Sequence, residues 1–272
     1  NGFPMCRKLI ANYRSHPAIL ECFSALFYKN NLKPKGPKKI THSLIDWDVL
    51  PNKRNFPCFF HAIIAQDSYF PESGSLCNKS EADAIAHLIE KLHVFANQKG
   101  RGGLEMSDIG VIAPFRMQVI LIRKVLRKVG MRDVRVGSVD DFQGKEAKVI
   151  FISTVISKDR PALKKMEDTA NGIGIFSNPK RFNVAISRAK ALMVVVGNPF
   201  ILARKSWWKN ILTYCISKKA YSGVDGRGEP NNEFLDIVQG SVLNLGGGET
   251  VDESMERASL YYSRERRWRI MA

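Results

Sequence analysis

Hydrophobic and polar positions along the chain follow two alternating patterns. Residues 149–155 (VIFISTV) and 191–197 (ALMVVVG) are near-continuous apolar runs rich in β-branched residues. Runs of that kind mark strands covered on both faces of a parallel sheet. Shorter runs at 56–64 (FPCFFHAII), 109–115 (IGVIAPF) and 134–139 (VRVGSV) predict three further strands. Between them the apolar period changes to that of a helix. Ile19, Leu20, Phe23, Leu26 and Phe27 predict a helix over 18–27. Ala84, Ile85, Leu88, Leu92 and Phe95 predict one over 80–95, and Val119, Ile122, Val125, Leu126 and Val129 one over 118–129. Residues 182–191 and 207–216 also suit helices. Strands alternating with such helices predict βαβ units in a doubly wound α/β sheet, with right-handed connections.

Two stretches break the rhythm. Residues 33–43 (KPKGPKKITHS) are basic and punctuated by Pro and Gly, and predict a loop. Residues 157–174 are charged, then Gly-bearing, and predict an excursion from the sheet that returns before Asn178. The chain divides into a folded body, residues 1–221, and a tail, 222–272. The tail holds GVDGRGEPNN and LNLGGGET, poor candidates for regular structure, and is expected to be largely flexible.

Charge sharpens this division. The chain of 272 residues carries 42 Lys and Arg against 26 Asp and Glu, a net charge of +16. The tail has six Arg and nine acidic residues, which leaves 36 basic and 17 acidic residues, a net of +19, in the body. The body is therefore expected to bind polyanions. With 44% hydrophobic residues the composition is that of a globular protein and excludes a largely disordered one. No apolar run reaches the roughly 20 residues that span a bilayer, and no signal peptide is visible. The absence of an initiator Met suggests part of a longer chain. Five cysteines without a C-x-x-C pair, and five histidines without ligand spacing, predict a reducing compartment and no metal site.

Four segments carry candidate chemistry. In Asn12-Tyr-Arg-Ser-His-Pro17, Ser15 is a candidate N-cap and Pro17 suits the first helical turn, leaving Arg14 at a loop–helix junction. Ile112-Ala-Pro-Phe-Arg116 ends a strand, where Phe115 could stack on a base and Arg116 meet a phosphate; the plainer reading makes Phe115 core. Val136-Gly-Ser-Val-Asp-Asp-Phe-Gln-Gly-Lys-Glu146 joins two strands. The general rule that ligands bind at carboxyl ends of strands predicts that Ser138, Asp140, Gln143, Gly144 and Glu146 gather at that edge. Glu146 would there accept a ribose hydroxyl, while Asp140 and Asp141 could instead only cap a turn. In Asn178-Pro-Lys-Arg-Phe-Asn-Val-Ala-Ile-Ser-Arg-Ala-Lys190, read as a helix, Asn183, Ser187 and Lys190 share a face, and Arg188 could hold a phosphate bidentately.

In this order, over about 180 residues, the segments resemble the motifs of the second RecA-like domain of superfamily 1 helicases in the up-frameshift-like group. Stretches such as Asp108-Ile-Gly-Val-Ile-Ala-Pro-Phe-Arg and Phe176-Ser-Asn-Pro-Lys-Arg-Phe-Asn-Val184 look most like the Armitage and Moloney-leukaemia-virus-10-like RNA helicases. The resemblance covers roughly residues 5–221. It implies a RecA-like, P-loop-NTPase-type α/β fold with a mainly parallel sheet and helices on both faces. It implies that Tyr13 lies by the nucleotide, that Arg14 contacts phosphate, that Gly144 and Glu146 touch the terminal phosphate and ribose, and that Arg188 is an arginine finger. It further implies single-strand RNA contacts at Pro114, Phe115, Arg116, Ser138, Val139, Ser153 and Thr154. One departure stands out: Ile156 occupies a position where members often carry Arg.

The chain has no G-x-x-x-x-G-K-[ST] loop and no Asp-Glu pair after an apolar strand. The resemblance places both, with most of the hold on Mg²⁺, in a preceding RecA-like domain of the same protein. This chain alone is therefore not expected to hydrolyse ATP. ATP and Mg²⁺ are the implied cofactors, and single-stranded RNA, the preceding domain and small-RNA silencing proteins the implied partners. A cytoplasmic setting, including ribonucleoprotein granules, 5′-to-3′ movement and a role in RNA silencing or messenger control belong to the same implication. A non-catalytic RNA-binding or partner-docking module, and a DNA helicase of the same group, remain open on the residues alone.

Overall fold

The computed structural model describes residues 8–51, 56–158, 160, 161, 163 and 174–223. The tail beyond 223 and most of the excursion at 157–174 lie outside the described residues. The core is one six-stranded sheet. Its strands are β1 (Cys58–Ala62), β2 (Ile109–Ile112), β3 (Arg135–Gly137), β4 (Ala147–Ser153), β5 (Ala189–Gly197) and β6 (Tyr221–Ser222). They lie in the order β6-β1-β5-β4-β2-β3, and every pairing is parallel. The β-branched runs fill the middle of this order. Val149–Ile152 and Ala191–Val196 are buried throughout, because β4 and β5 have a strand on each side and helices above and below.

The helices sort by the direction of their crossovers. Helix α1 (Pro17–Phe27) precedes the sheet. Helices α2 (Lys79–Ala96) and α3 (Arg116–Lys128) carry the chain from β1 to β2 and from β2 to β3, towards one edge. Helices α4 (Pro179–Ile186) and α5 (Ser206–Ser217) carry it from β4 to β5 and from β5 to β6, towards the other. With one handedness for all, opposite directions put the two pairs on opposite faces. Accordingly α2 packs on α3, and α1 packs on α4 and α5. Phe182 of α4 meets Trp208 of α5 edge to face at 4.6 Å, and both are fully buried. The connections diverge at the β4/β2 pair, which is the topological switch point of the sheet.

Three expectations need correction. Residues 33–43 are not all loop: Lys33–Pro34 pairs in parallel with Ala11–Asn12, and Lys38–Thr41 forms a helical turn. The pairing needs only two bonds, Lys33 N–H to the Ile10 carbonyl and Lys35 N–H to that of Asn12, both 2.7 Å. Elements this short leave no periodic signal. The helix expected over 182–191 is shifted to 179–186. Asn178 caps it by accepting from Lys180 and Arg181 N–H, with Pro179 in the first turn. It ends at Ile186 with Ser187 as its C-cap, whose N–H still bonds the Asn183 carbonyl, so Lys190 lies outside the helix and does not share its face. Finally, the N-cap of α1 is His16, whose Nδ1 accepts from Ala18 N–H, and not Ser15. The Ser15 hydroxyl instead donates to the Ala189 carbonyl and ties the segment to β5.

Candidate functional site

The candidate residues separate into two groups at opposite ends of the sheet. Arg14, Glu146 and Arg188 sit at the amino ends of β4 and β5. Pro114, Phe115, Ser138, Val139, Ser153 and Thr154 follow the carboxyl ends of β2, β3 and β4. The seven residues of β4 set the separation at roughly 20 Å. The expectation that Ser138 through Glu146 share the carboxyl edge is therefore overturned. In parallel strands a chain leaving β3 at its carboxyl end must return to the amino end of β4, and this loop makes that journey through a 3-10 turn at Asp140–Phe142.

At the amino edge, Asn12 folds the backbone around Arg14 by accepting from the N–H groups of Arg14 (3.0 Å) and Ser15 (2.9 Å). His16 N–H then bonds the Lys190 carbonyl at 2.8 Å. So anchored, Arg14 donates Nε to Glu146 at 2.5 Å and Nη1 to the Ser187 carbonyl at 3.1 Å. Lys190 Nζ takes the other Glu146 oxygen at 2.7 Å. These two cations, Lys190 first, hold the Glu146 carboxyl below its ordinary range. Arg188 donates to the Val184 carbonyl (3.0 Å), the Ser187 hydroxyl (2.9 Å) and the Lys145 carbonyl (3.4 Å). Its bond to Val184 places positive charge at the C-terminus of α4, a favourable end. Burial, then the nearby Arg14, lowers the Arg188 pKa. Both guanidinium groups thus converge on Ser187. Tyr13 is 71% exposed beside them, and Gly144 is exposed with φ +71, a conformation glycine adopts without strain. A cavity of about 1010 Å³ opens next to Glu146 and Lys190, lined also by Lys39, His42, Arg101 and Arg135.

The carboxyl edge is built differently. Arg116 is exposed and Pro114 partly so, but Phe115 is only 5% exposed and belongs to the core. The stacking face read for it is not presented, because the aromatic ring serves the packing under α3. Ser138 donates its N–H (2.7 Å) and hydroxyl (2.9 Å) to Asp141, whose carboxyl is lowered by those bonds. Asp141 therefore caps the turn. Val139 is buried. Ser153 and Thr154 are buried too, and what holds them is Glu81 of α2, a residue absent from the sequence-based candidates. The Glu81 carboxylate accepts from the Ser153 hydroxyl (2.6 Å) and the N–H groups of Thr154 and Val155 (3.0 Å each). Gln118 of α3 donates to the Ser153 hydroxyl at 3.0 Å and accepts from Asn78 N–H at 2.8 Å. The side chains of Ser153 and Thr154 thus lie in the interior, and not on the open edge, in this structure. Ile156, 1% exposed, is core, which suits an apolar residue where members often carry Arg.

Among the described residues no cluster of three or more His, Cys, Asp or Glu could hold a metal ion. Glu146, the carboxylate beside Arg14, is already bonded to two cations, and Asp46, which lines the same cavity with Asp108, is paired with Arg101, so the described residues there do not fit a Mg²⁺ ion. Among the described residues no helix is long and apolar enough to cross a membrane.

The α/β fold, the two edges and the ordered motifs define a RecA-like helicase domain. A family model described as an AAA domain matches residues 4–199, and the chain belongs to that family, the up-frameshift-like superfamily 1 helicases. Within it the chain falls in the Armitage and Moloney-leukaemia-virus-10-like branch. It is 40% identical to mov-10-B.1 of Danio rerio over 88% of the chain and 24% of that protein. It is 41% identical to the RNA helicase Mov10l1 of Homo sapiens, over 80% of the chain and 17% of the relative. Against armi of Drosophila melanogaster it is 31% identical over 80% of the chain and 18% of the relative. The chain thus spans a quarter or less of the length of these relatives.

Proposed function

We propose that this chain is the second RecA-like domain of an ATP-dependent RNA helicase or translocase, with ATP bound at its amino edge and single-stranded RNA at its carboxyl edge. The observation that carries the reading is the convergence of Arg14 and Arg188 on Ser187. Two guanidinium groups held side by side at an open edge, beside an exposed Tyr13, suit the phosphates of a nucleotide presented by a preceding domain. Arg188 is the arginine finger and Arg14 the second phosphate contact. An arriving phosphate competes with Glu146 for Arg14, which frees Glu146 for the ribose, and Gly144 allows close backbone approach. Mg²⁺ is held by the preceding domain, and this chain contributes none of its ligands.

At the other edge Arg116 meets a phosphate, while Pro114, Phe115, Ser138, Val139, Ser153 and Thr154 shape the track through backbone and packing. The resemblance adds 5′-to-3′ movement, silencing or messenger control and a cytoplasmic setting. RNA-stimulated ATPase activity of the full-length protein tests the reading: Arg188→Ala must abolish most of it, and a rate near wild type overturns the role given to that residue. Competition between RNA and DNA oligonucleotides at fixed salt tests the choice of strand.

A further inference from the structure

The crevice at the switch point of the sheet is filled from inside the protein. Glu81 reaches it from the first turn of α2, with Gln118 beside it from α3. The segment that leaves β4 there is bent: Val155 has φ +71, and Ile156 N–H returns to the Thr154 carbonyl at 2.8 Å. That is a γ-turn with positive φ at its centre, the strained form, and its central residue is a β-branched one, fully buried. Such a backbone persists only where its surroundings over-determine it, and strain of this kind concentrates at functional sites. Glu81 supplies the over-determination by taking the N–H groups of Thr154 and Val155, which lead into the turn. Asn78 Nδ2 donates to the Val155 carbonyl at 3.4 Å. Two residues on, a second buried carboxylate, Asp67, accepts from the N–H and hydroxyl of Ser157, both at 2.7 Å, and pairs with Arg160. Both ends of the segment are thus fixed by acceptors outside it.

We propose that Glu81 is a positioning residue for the RNA track: its carboxylate holds the strained turn at Thr154–Ile156 and so sets the shape of the carboxyl edge that meets a single strand. The inference rests on the reading of that edge as the RNA site. A carboxylate suits the place because all three groups facing it are donors: Oε2 accepts from each of them, and Oε1 shares the Val155 N–H. An amide in its place turns an N–H towards another N–H. An ordinary turn over an apolar core would need no buried charge, so the costly group marks a shape worth holding. Burial pushes the Glu81 carboxyl up to about 7, against the opposing hydrogen bonds from Ser153, Val155 and Thr154. The charged groups facing it are Asp67 and, through Asp67, Arg160.

The test uses the full-length protein and a single-stranded RNA oligonucleotide. Glu81→Gln is expected to weaken the RNA Kd by about tenfold, with the ATP KM in the absence of RNA changed less than twofold. A second readout needs no variant: RNA affinity of the wild type falls as pH drops from 8 to 6, while Glu81→Gln gives a flat profile over that range. Equal losses of RNA and ATP binding in Glu81→Gln mean a merely structural role and overturn the inference. So does wild-type RNA affinity in that variant, or a flat profile in the wild type, and in both cases the RNA reading survives. A wild-type protein that binds no RNA overturns the reading and the inference together.

Discussion

Arg14 and Glu146 are 132 positions apart in the chain and form an ion pair of 2.5 Å at the amino edge of the sheet. Lys190 on β5 completes a three-residue cluster around the same carboxylate. Because the pair is partly exposed, its contribution to stability is small, of the order of 1 kcal/mol or less. Its contribution to ligand binding is expected to be larger. Glu146→Gln should leave the thermal midpoint within a few degrees and raise the ATP KM of the full-length protein several-fold. Melting curves and steady-state ATPase assays separate the two. A large loss of stability with an unchanged KM would refute the assignment.

Arg188→Ala removes a charge expected to act on the transferring phosphoryl group. Arginine fingers contribute roughly 10³–10⁵ in rate. The expected loss in RNA-stimulated ATPase activity is therefore at least a hundredfold, and Arg188→Lys should recover little. A lysine cannot bond Val184, Ser187 and Lys145 together from one rigid fork.

Gly197 closes β5 directly against Thr154. A Cβ added there falls 1.7 Å from the Thr154 Oγ1 and 2.9 Å from its Cβ. Gly197→Ala is expected to destabilise the domain by about 1–3 kcal/mol through overpacking. Denaturant unfolding of the variant measures this, and an unchanged midpoint counts against so tight a contact.

Acid should destabilise the domain, and Glu81 should soften the effect. Burial lowers His16 and His61 to about 4, so the unfolded chain takes up protons at these residues before the folded one does. Their contribution is full above pH 6.5 and is lost as pH falls towards 4. Glu81 has the opposite sign. Its folded pKa of about 7 lies above the unfolded value, so its contribution is full below pH 4.5 and is lost as pH rises through 7. That shift amounts to about 3 kcal/mol. Two groups oppose one between pH 6.5 and 4.5, so net stability falls there. Glu81→Gln should steepen that fall, as thermal midpoints taken across the range would reveal.

The central strands were legible because a strand covered on both faces must be apolar at consecutive positions, as in β4 and β5. The motif order also singled out Arg14, Glu146 and Arg188, which the fold brings together at the amino edge. What the sequence hid was depth. Phe115, Ser153 and Thr154 read as edge contacts and proved to be interior, because a position on a strand end does not say which element covers it. Glu81 was missed because a charge in an amphipathic helix is normally solvated. A signal was nonetheless present. Glu81, Ile85, Leu88 and Leu92 fall on one helical stripe, and Asn78 three residues before Glu81 caps the helix. The separation of the two edges was hidden too, because a loop of nine residues can cross a sheet as easily as stay on one side of it.

Strand β4 begins directly after Glu146 and ends at Ser153, within a sheet where every pairing is parallel. A close-packed sheet does not stretch, so a pull at one end arrives at the other as displacement of the whole body. Reciprocity would then bind two ligands held at its ends. If ATP and RNA bind the two edges as proposed, whatever factor ATP imposes on the grip for RNA, RNA must impose on the grip for ATP. Measuring either one fixes the other, and places a number on the work the strand transmits.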